Sequence, residues 1–105
     1  MSLVELEIVE LSEDALQEVN AIERVSQDRP WSQSSFRREL HVSFSKILGA
    51  RSLEDQRLFG YLVFWHVSDE IHVLNVVVHP DARRRGIGRQ LVEASVSIGP
   101  SSSTR

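Results

Sequence analysis

The stretch His79-Pro80-Asp81-Ala82-Arg83-Arg84-Arg85-Gly86-Ile87-Gly88-Arg89-Gln90-Leu91 constrains this chain more than any other. An apolar run, Val73 to Val78, leads into it, and a helical pattern leaves it. Pro80 and Asp81 stop the strand, and Gly86 and Gly88 stand where the backbone turns into a helix. The first amides of such a helix have no intrahelical partners. The helix dipole puts partial positive charge there, and Arg83, Arg84, Arg85 and Arg89 add full charges. Gly86 and Gly88 carry no side chain to keep a ligand off the backbone. The spacing predicts an anion site, for a phosphate or a pyrophosphate.

The dinucleotide-binding fingerprint does not fit, because Leu91 stands where a third glycine belongs. The P-loop does not fit either, since no Gly-Lys-Ser/Thr follows. The pattern that fits is Arg-x-x-Gly-x-Gly, on Arg83, Gly86 and Gly88, and it resembles the acetyl-CoA pyrophosphate loop of the GNAT N-acetyltransferases. A run of arginines also suits a solvated turn or a nucleic-acid patch. The net charge of -3 and the lack of a long basic stripe argue against nucleic acid.

With 105 residues, 41% of them hydrophobic and 26% charged, the chain is sized for one ordinary globular domain. It has no cysteine, hence no disulfide framework, zinc thiolate or cysteine nucleophile, and its four histidines lack metal-ligand spacing. No metal is expected. Met1-Ser2-Leu3-Val4-Glu5 has no basic leader pattern, and no stretch approaches a membrane span. The expected setting is cytoplasmic, with no membrane partner.

Leu3 to Val9 alternates with a period of two, which predicts a half-buried strand whose apolar face is Val4, Leu6 and Ile8. Ser12, followed by Glu13 and Asp14, predicts the cap of a helix over Glu13 to Ser26 carrying Ala15, Leu16, Val19 and Ile22. Pro30-Trp31-Ser32 opens a second helix reaching about His41, with Ser32 as N-cap and Trp31 and Phe36 at the positions of a hydrophobic staple. Phe44 to Ala50, Arg57 to Val67 and Ile71 to Val78 read as three strands of a meander, joined by Arg51 to Gln56 and by Ser68-Asp69-Glu70. Gly60 predicts a bulge or a close backbone approach. The continuous apolar end of the last strand, Leu74 to Val78, predicts burial on both faces. Ile87, Leu91 and Ala94 form the stripe of the final helix. The folded domain is expected over 1–97, with 98–105, rich in serine, as an unstructured tail.

The combination of Pro30-Trp31-Ser32, Phe36, Glu39-Leu40, Gly60-Tyr61-Leu62, Asp69-Glu70, Leu74-Asn75-Val76 and the glycine loop resembles the ribosomal-protein-alanine N-acetyltransferases, the RimI type. The resemblance covers about Val4 to Ala94. It implies an α+β GNAT fold, a mostly antiparallel sheet flanked by helices. It also implies transfer of acetyl from acetyl-CoA to the amino-terminal α-amine of a protein. In this resemblance the backbones of Val76, Val77 and Val78 align the pantetheine arm, and Arg84, Arg85, Gly86, Ile87, Gly88 and Arg89 hold the pyrophosphate. An amide-bearing arm suits a strand edge, and a diphosphate suits clustered donors.

Family members continue with a strand carrying Leu-Glu-Val-Arg, whose glutamate is the base, and with a tyrosine that is the acid. Neither follows the loop helix here, so the chain is expected to be a carboxy-terminally truncated form lacking the last strands. Among the residues present, Glu70 is the candidate base, against the commoner role of a solvated turn charge. His72 and His79 have no better claim. Two readings therefore stand: an N-acetyltransferase, or a catalytically empty acetyl-CoA-binding or interaction module. An open edge on the strand ending at Val78 would invite self-association.

Overall fold

The computed structural model describes residues 5–98. Four strands form one antiparallel sheet in the order β1 (Leu6–Glu10), β2 (Ser45–Ser52), β3 (Leu58–Val67) and β4 (Glu70–Val78). Helices α1 (Leu16–Ser26) and α2 (Gln33–Leu40) come between β1 and β2, and α3 (Ile87–Ile98) follows β4. This is the α+β arrangement expected. The amino-terminal part of the predicted first strand, Leu3 and Val4, and the predicted tail from residue 99 lie outside the described residues. Ile98, placed in that tail by the sequence, is the last residue of α3 and packs against the core.

Period-two alternation gives the sheet two apolar faces, each covered by helix. Tyr61, Val63, Ile47 and Val77 meet Leu16, Val19, Ile22 and Phe36 of α1 and α2. On the other face Leu48, Ala50, Leu62 and Phe64 meet Ile87 and Leu91 of α3. Leu6 and Ile8 join the α3 side as their alternation requires, while Val9 packs on the α1 side. β3 is the strand buried on both faces, so its side chains dominate the core.

Local chemistry sets the helix ends. Ser32 accepts the Ser35 amide on Oγ at 3.1 Å, and Trp31 stacks on Phe36 with centroids 5.0 Å apart, which is the predicted cap and staple. Ser12 behaves differently. Its hydroxyl donates to Asp14 Oδ1 at 2.8 Å and caps no amide, and Glu13–Ala15 forms a 3-10 turn ahead of α1.

Gly60 shows both features expected of it. Phe59 is an extra residue in the pairing of β3 with β2, a bulge, and a Cβ on Gly60 would lie 2.8 Å from the Val77 carbonyl oxygen. The expectation for β4 is corrected. A second bulge inserts Leu74 opposite the step from Val63 to Phe64, and β4 has a strand on one side only among the described residues. Val73, Leu74 and Val76 are therefore exposed, because their apolar run meets no covering layer.

Candidate functional site

Beyond β4 the chain makes one 3-10 turn, Pro80–Ala82, capped by His79, whose Nδ1 accepts the Asp81 amide at 3.0 Å. Arg84 (φ 68) and Gly86 (φ 74) then take left-handed conformations that swing the backbone into α3. A Cβ on Gly86 would meet nothing within 4 Å, so glycine is needed there for its backbone freedom rather than for space. The first helical bond is Gln90 N–H to the Gly86 carbonyl, 3.0 Å. The amides of Ile87, Gly88 and Arg89 are consequently without intrahelical partners.

Alternation along β4 fixes what faces outward. The His79 amide donates to the Phe59 carbonyl at 2.8 Å, so His79 and Val77 point their polar backbone groups at β3. Val76 and Val78 point theirs at the open edge. Arg83 Nε donates to the Val78 carbonyl at 3.1 Å, from that outer side. A cleft of ≈ 360 Å³ lies there, lined by Ser26 and Gln27 at the end of α1, by Val76, Val77 and Val78, and by Arg83 and Gly88. Strand edge, helix amides and a guanidinium thus face one space. A larger groove, ≈ 570 Å³, lies along α1 among Gln17, Asn20, Arg24 and Gln33, away from the glycine loop.

The sequence-derived residues fall into groups. Val76, Val77, Val78 and Gly88 line the cleft. Ile87 offers only its amide, because its side chain is buried under the sheet. Arg84, Arg85 and Arg89 are exposed, and Arg89 Nε pairs with Glu93 at 3.3 Å. Arg83, part of the loop pattern but not of the expected pyrophosphate set, is the arginine in the cleft lining. Glu70 is not brought to the site. It is exposed at the opposite end of β4, paired with His72 Nε2 at 2.9 Å, about 26 Å along the strand from Val78.

Sequence reasoning missed a buried polar cluster behind the cleft. Glu23 on α1 is fully buried. Its carboxylate accepts from the Tyr61 hydroxyl at 2.5 Å, from Asn75 Nδ2 at 3.0 Å and from the Trp31 amide at 3.0 Å. Asn75 Oδ1 in turn accepts from Gln27 Nε2 at 3.1 Å. Burial, then the hydrogen bond to Glu23 and the carboxylate's charge, push the Tyr61 hydroxyl far above its ordinary pKa. The available signal was spacing: Glu23 falls four residues after Val19 and four before Gln27, on the buried stripe of α1.

Among the described residues, no group of three or more His, Asp or Glu side chains gathers as a metal site would, and no helix is long and apolar enough to cross a membrane.

The sequence profile of the acetyltransferase (GNAT) family matches residues 8–102. The chain belongs to the GNAT acetyltransferase family. This GNAT chain is 32% identical, over 69% of its length, to the [ribosomal protein bS18]-alanine N-acetyltransferase of Salmonella typhimurium. Its fold superposes on the ribosomal-protein-S18-alanine N-acetyltransferase of Escherichia coli with a TM-score of 0.77, at 24% identity over 86% of this chain. It also superposes on the PaiA N-acetyltransferase of Thermoplasma acidophilum in complex with coenzyme A, with a TM-score of 0.75 at 18% identity over 90% of this chain. The chain spans about half the length of the two ribosomal-protein enzymes, 47% and 56%, and 71% of the third.

Proposed function

We propose that this chain binds acetyl-CoA in the cleft between β4 and the start of α3 and serves acetyl transfer to an amino-terminal α-amine, with the alanine terminus of a ribosomal protein as the acceptor class. The observation that carries the reading is the convergence of the Val76 and Val78 edge groups with the free amides of Ile87, Gly88 and Arg89. A pantetheine arm carries amides that can pair with a strand edge, and a diphosphate is matched by helix amides and a guanidinium. In the proposed pose Val76 and Val78 hold the arm. Gly88, Arg83 and the amides of Ile87 and Arg89 receive the diphosphate, while Arg84 and Arg85 contribute field from their exposed positions.

Transfer then requires a deprotonated amine to attack the thioester carbonyl, the carbon–sulfur bond to break, and the proton lost by nitrogen to be matched by one gained by sulfur. Residues that bind and orient the donor supply proximity, which accounts for a large share of such a rate enhancement. The relative from Salmonella typhimurium, a [ribosomal protein bS18]-alanine N-acetyltransferase, supports the acceptor class. The test is acetyl transfer from acetyl-CoA to a peptide beginning with alanine, against one whose amino terminus is blocked. Acetylation of the free peptide alone supports the proposal. Coenzyme A binding without transfer would favour the catalytically empty binding module.

A further inference from the structure

We propose that Glu23 and Asn75 form a clamp that holds the bulged edge of β4 in the register the acyl donor needs, acting as positioning residues; the proposal rests on the donor-binding reading above. A buried carboxylate is costly unless its acceptor sites are filled, and an apolar residue in its place would serve packing alone at least as well. Glu23 is fully buried, and its donors come from three separate segments: Trp31 before α2, Tyr61 on β3 and Asn75 on β4. Asn75 is held at both ends, its amide nitrogen by Glu23 and its oxygen by Gln27. No other residue of β4 is tied by its side chain to α1 in this way.

The place of Asn75 in the strand gives the clamp its consequence. Leu74 is the extra residue of the bulge, with Val73 opposite Phe64 and Asn75 opposite Val63. That insertion reverses the alternation. Ile71 packs on the α3 side, whereas Asn75 and Val77, at the same parity, turn to the α1 side. If the bulge were lost and pairing ran on from Val73 opposite Phe64, Val76 would fall opposite Tyr61 and turn its polar backbone groups towards β3, away from the cleft edge. Holding Asn75 against Glu23 blocks that slip, because the amide side chain would have to leave a buried carboxylate. Gln27, which also lines the cleft, is fixed by the same contact.

The test separates the strand branch of the cluster from the rest. Calorimetry is run on the full chain with coenzyme A, which carries the arm, and with ADP, which carries only the diphosphate end. Asn75→Ala is expected to weaken coenzyme A by about tenfold or more, the size of a lost hydrogen bond to a charged group, and to leave ADP unchanged. Tyr61→Phe removes another donor from the same carboxylate and is expected to lower the melting temperature while leaving both affinities unchanged. Should Asn75→Ala not fold, Asn75→Leu keeps the volume and faces the same criterion. Unchanged coenzyme A affinity in the Asn75 variant, an equal loss of ADP, or the same selective loss in Tyr61→Phe overturns the clamp. If the wild-type chain binds no coenzyme A, the donor reading fails by itself. The clamp is then judged by the amide resonances and exchange protection of Val76, Val77 and Val78: displacement in Asn75→Ala retains it, and an unaltered pattern rejects it.

Discussion

Replacing Gly60 by alanine puts a methyl carbon 2.8 Å from the Val77 carbonyl oxygen and 3.3 Å from Val78 Cα, with Ile87 Cγ2 at 3.5 Å. Two of these neighbours are backbone of β4, so they cannot rotate aside as a side-chain tip would. Relief requires β4 to move by several tenths of an ångström where it lines the cleft. Overpacking of this kind costs about 1–3 kcal/mol, offset by about 0.5–1 kcal/mol from the reduced freedom of alanine in the unfolded chain. A net loss of about 1–2 kcal/mol lowers the melting temperature of a domain this size by about 5–15 °C. Gly49→Ala is the control, because the atoms nearest its Cβ would be the methyl ends of Leu11 and Leu58, side-chain tips that can shift. Thermal melting monitored by circular dichroism, with calorimetry for coenzyme A, reads both effects. Gly60→Ala is expected to melt below Gly49→Ala and to bind coenzyme A more weakly. Wild-type melting and affinity in Gly60→Ala would refute the close approach as the reason for this glycine.

Three other outcomes are expected. Tyr61 is the one tyrosine of the chain, and its hydroxyl is held neutral by burial and by Glu23. Its folded pKa lies above its unfolded value near 10, so this contribution to stability is complete below about pH 10 and is lost as pH rises beyond it. Phenolate absorbance should appear only with unfolding, and phenolate formed in the folded chain would contradict the burial. Glu70→Gln should leave acetyl transfer unaltered, since Glu70 is exposed at the far end of β4; a large fall in kcat would restore it as the base. The open edge of β4, with Val73, Leu74 and Val76 exposed, should make the 105-residue chain self-associate as concentration rises. Sedimentation showing one monomeric species at every concentration would exclude this.

Much of this architecture was legible in local patterns. Ser32 with Trp31 and Phe36 announced the start of α2, alternation announced β1, and apolar runs between polar turns announced the other three strands. Gly60 announced both its bulge and its close contact, because few residues serve those roles. The loop from Arg83 to Arg89 announced its turn through Gly86, and the helical stripe announced the burial of Ile87, although nothing local revealed that Arg83 is the guanidinium turned to the strand edge. What stayed hidden depends on pairing between distant segments. The bulge at Leu74 has no local signature, so the run Leu74 to Val78 read as a strand buried on both faces. Glu23 drew no assignment from the sequence, because its three donors lie eight, 38 and 52 residues away.

The central claim is that the cleft beside Gly88 receives the diphosphate and arm of an acyl-CoA, and calorimetry of coenzyme A with wild-type chain and Gly88→Val tests it most directly. A Cβ at Gly88 would lie 3.7 Å from Val78 Cγ2, an ordinary contact, so the helix accepts the substitution and the valine methyl groups project into the cleft. The account predicts that wild type binds coenzyme A and that Gly88→Val loses about tenfold or more in affinity, while its melting temperature stays near wild type because glycine is already the poorer helix former. Equal affinity in the two proteins, or no binding by wild type, would contradict it.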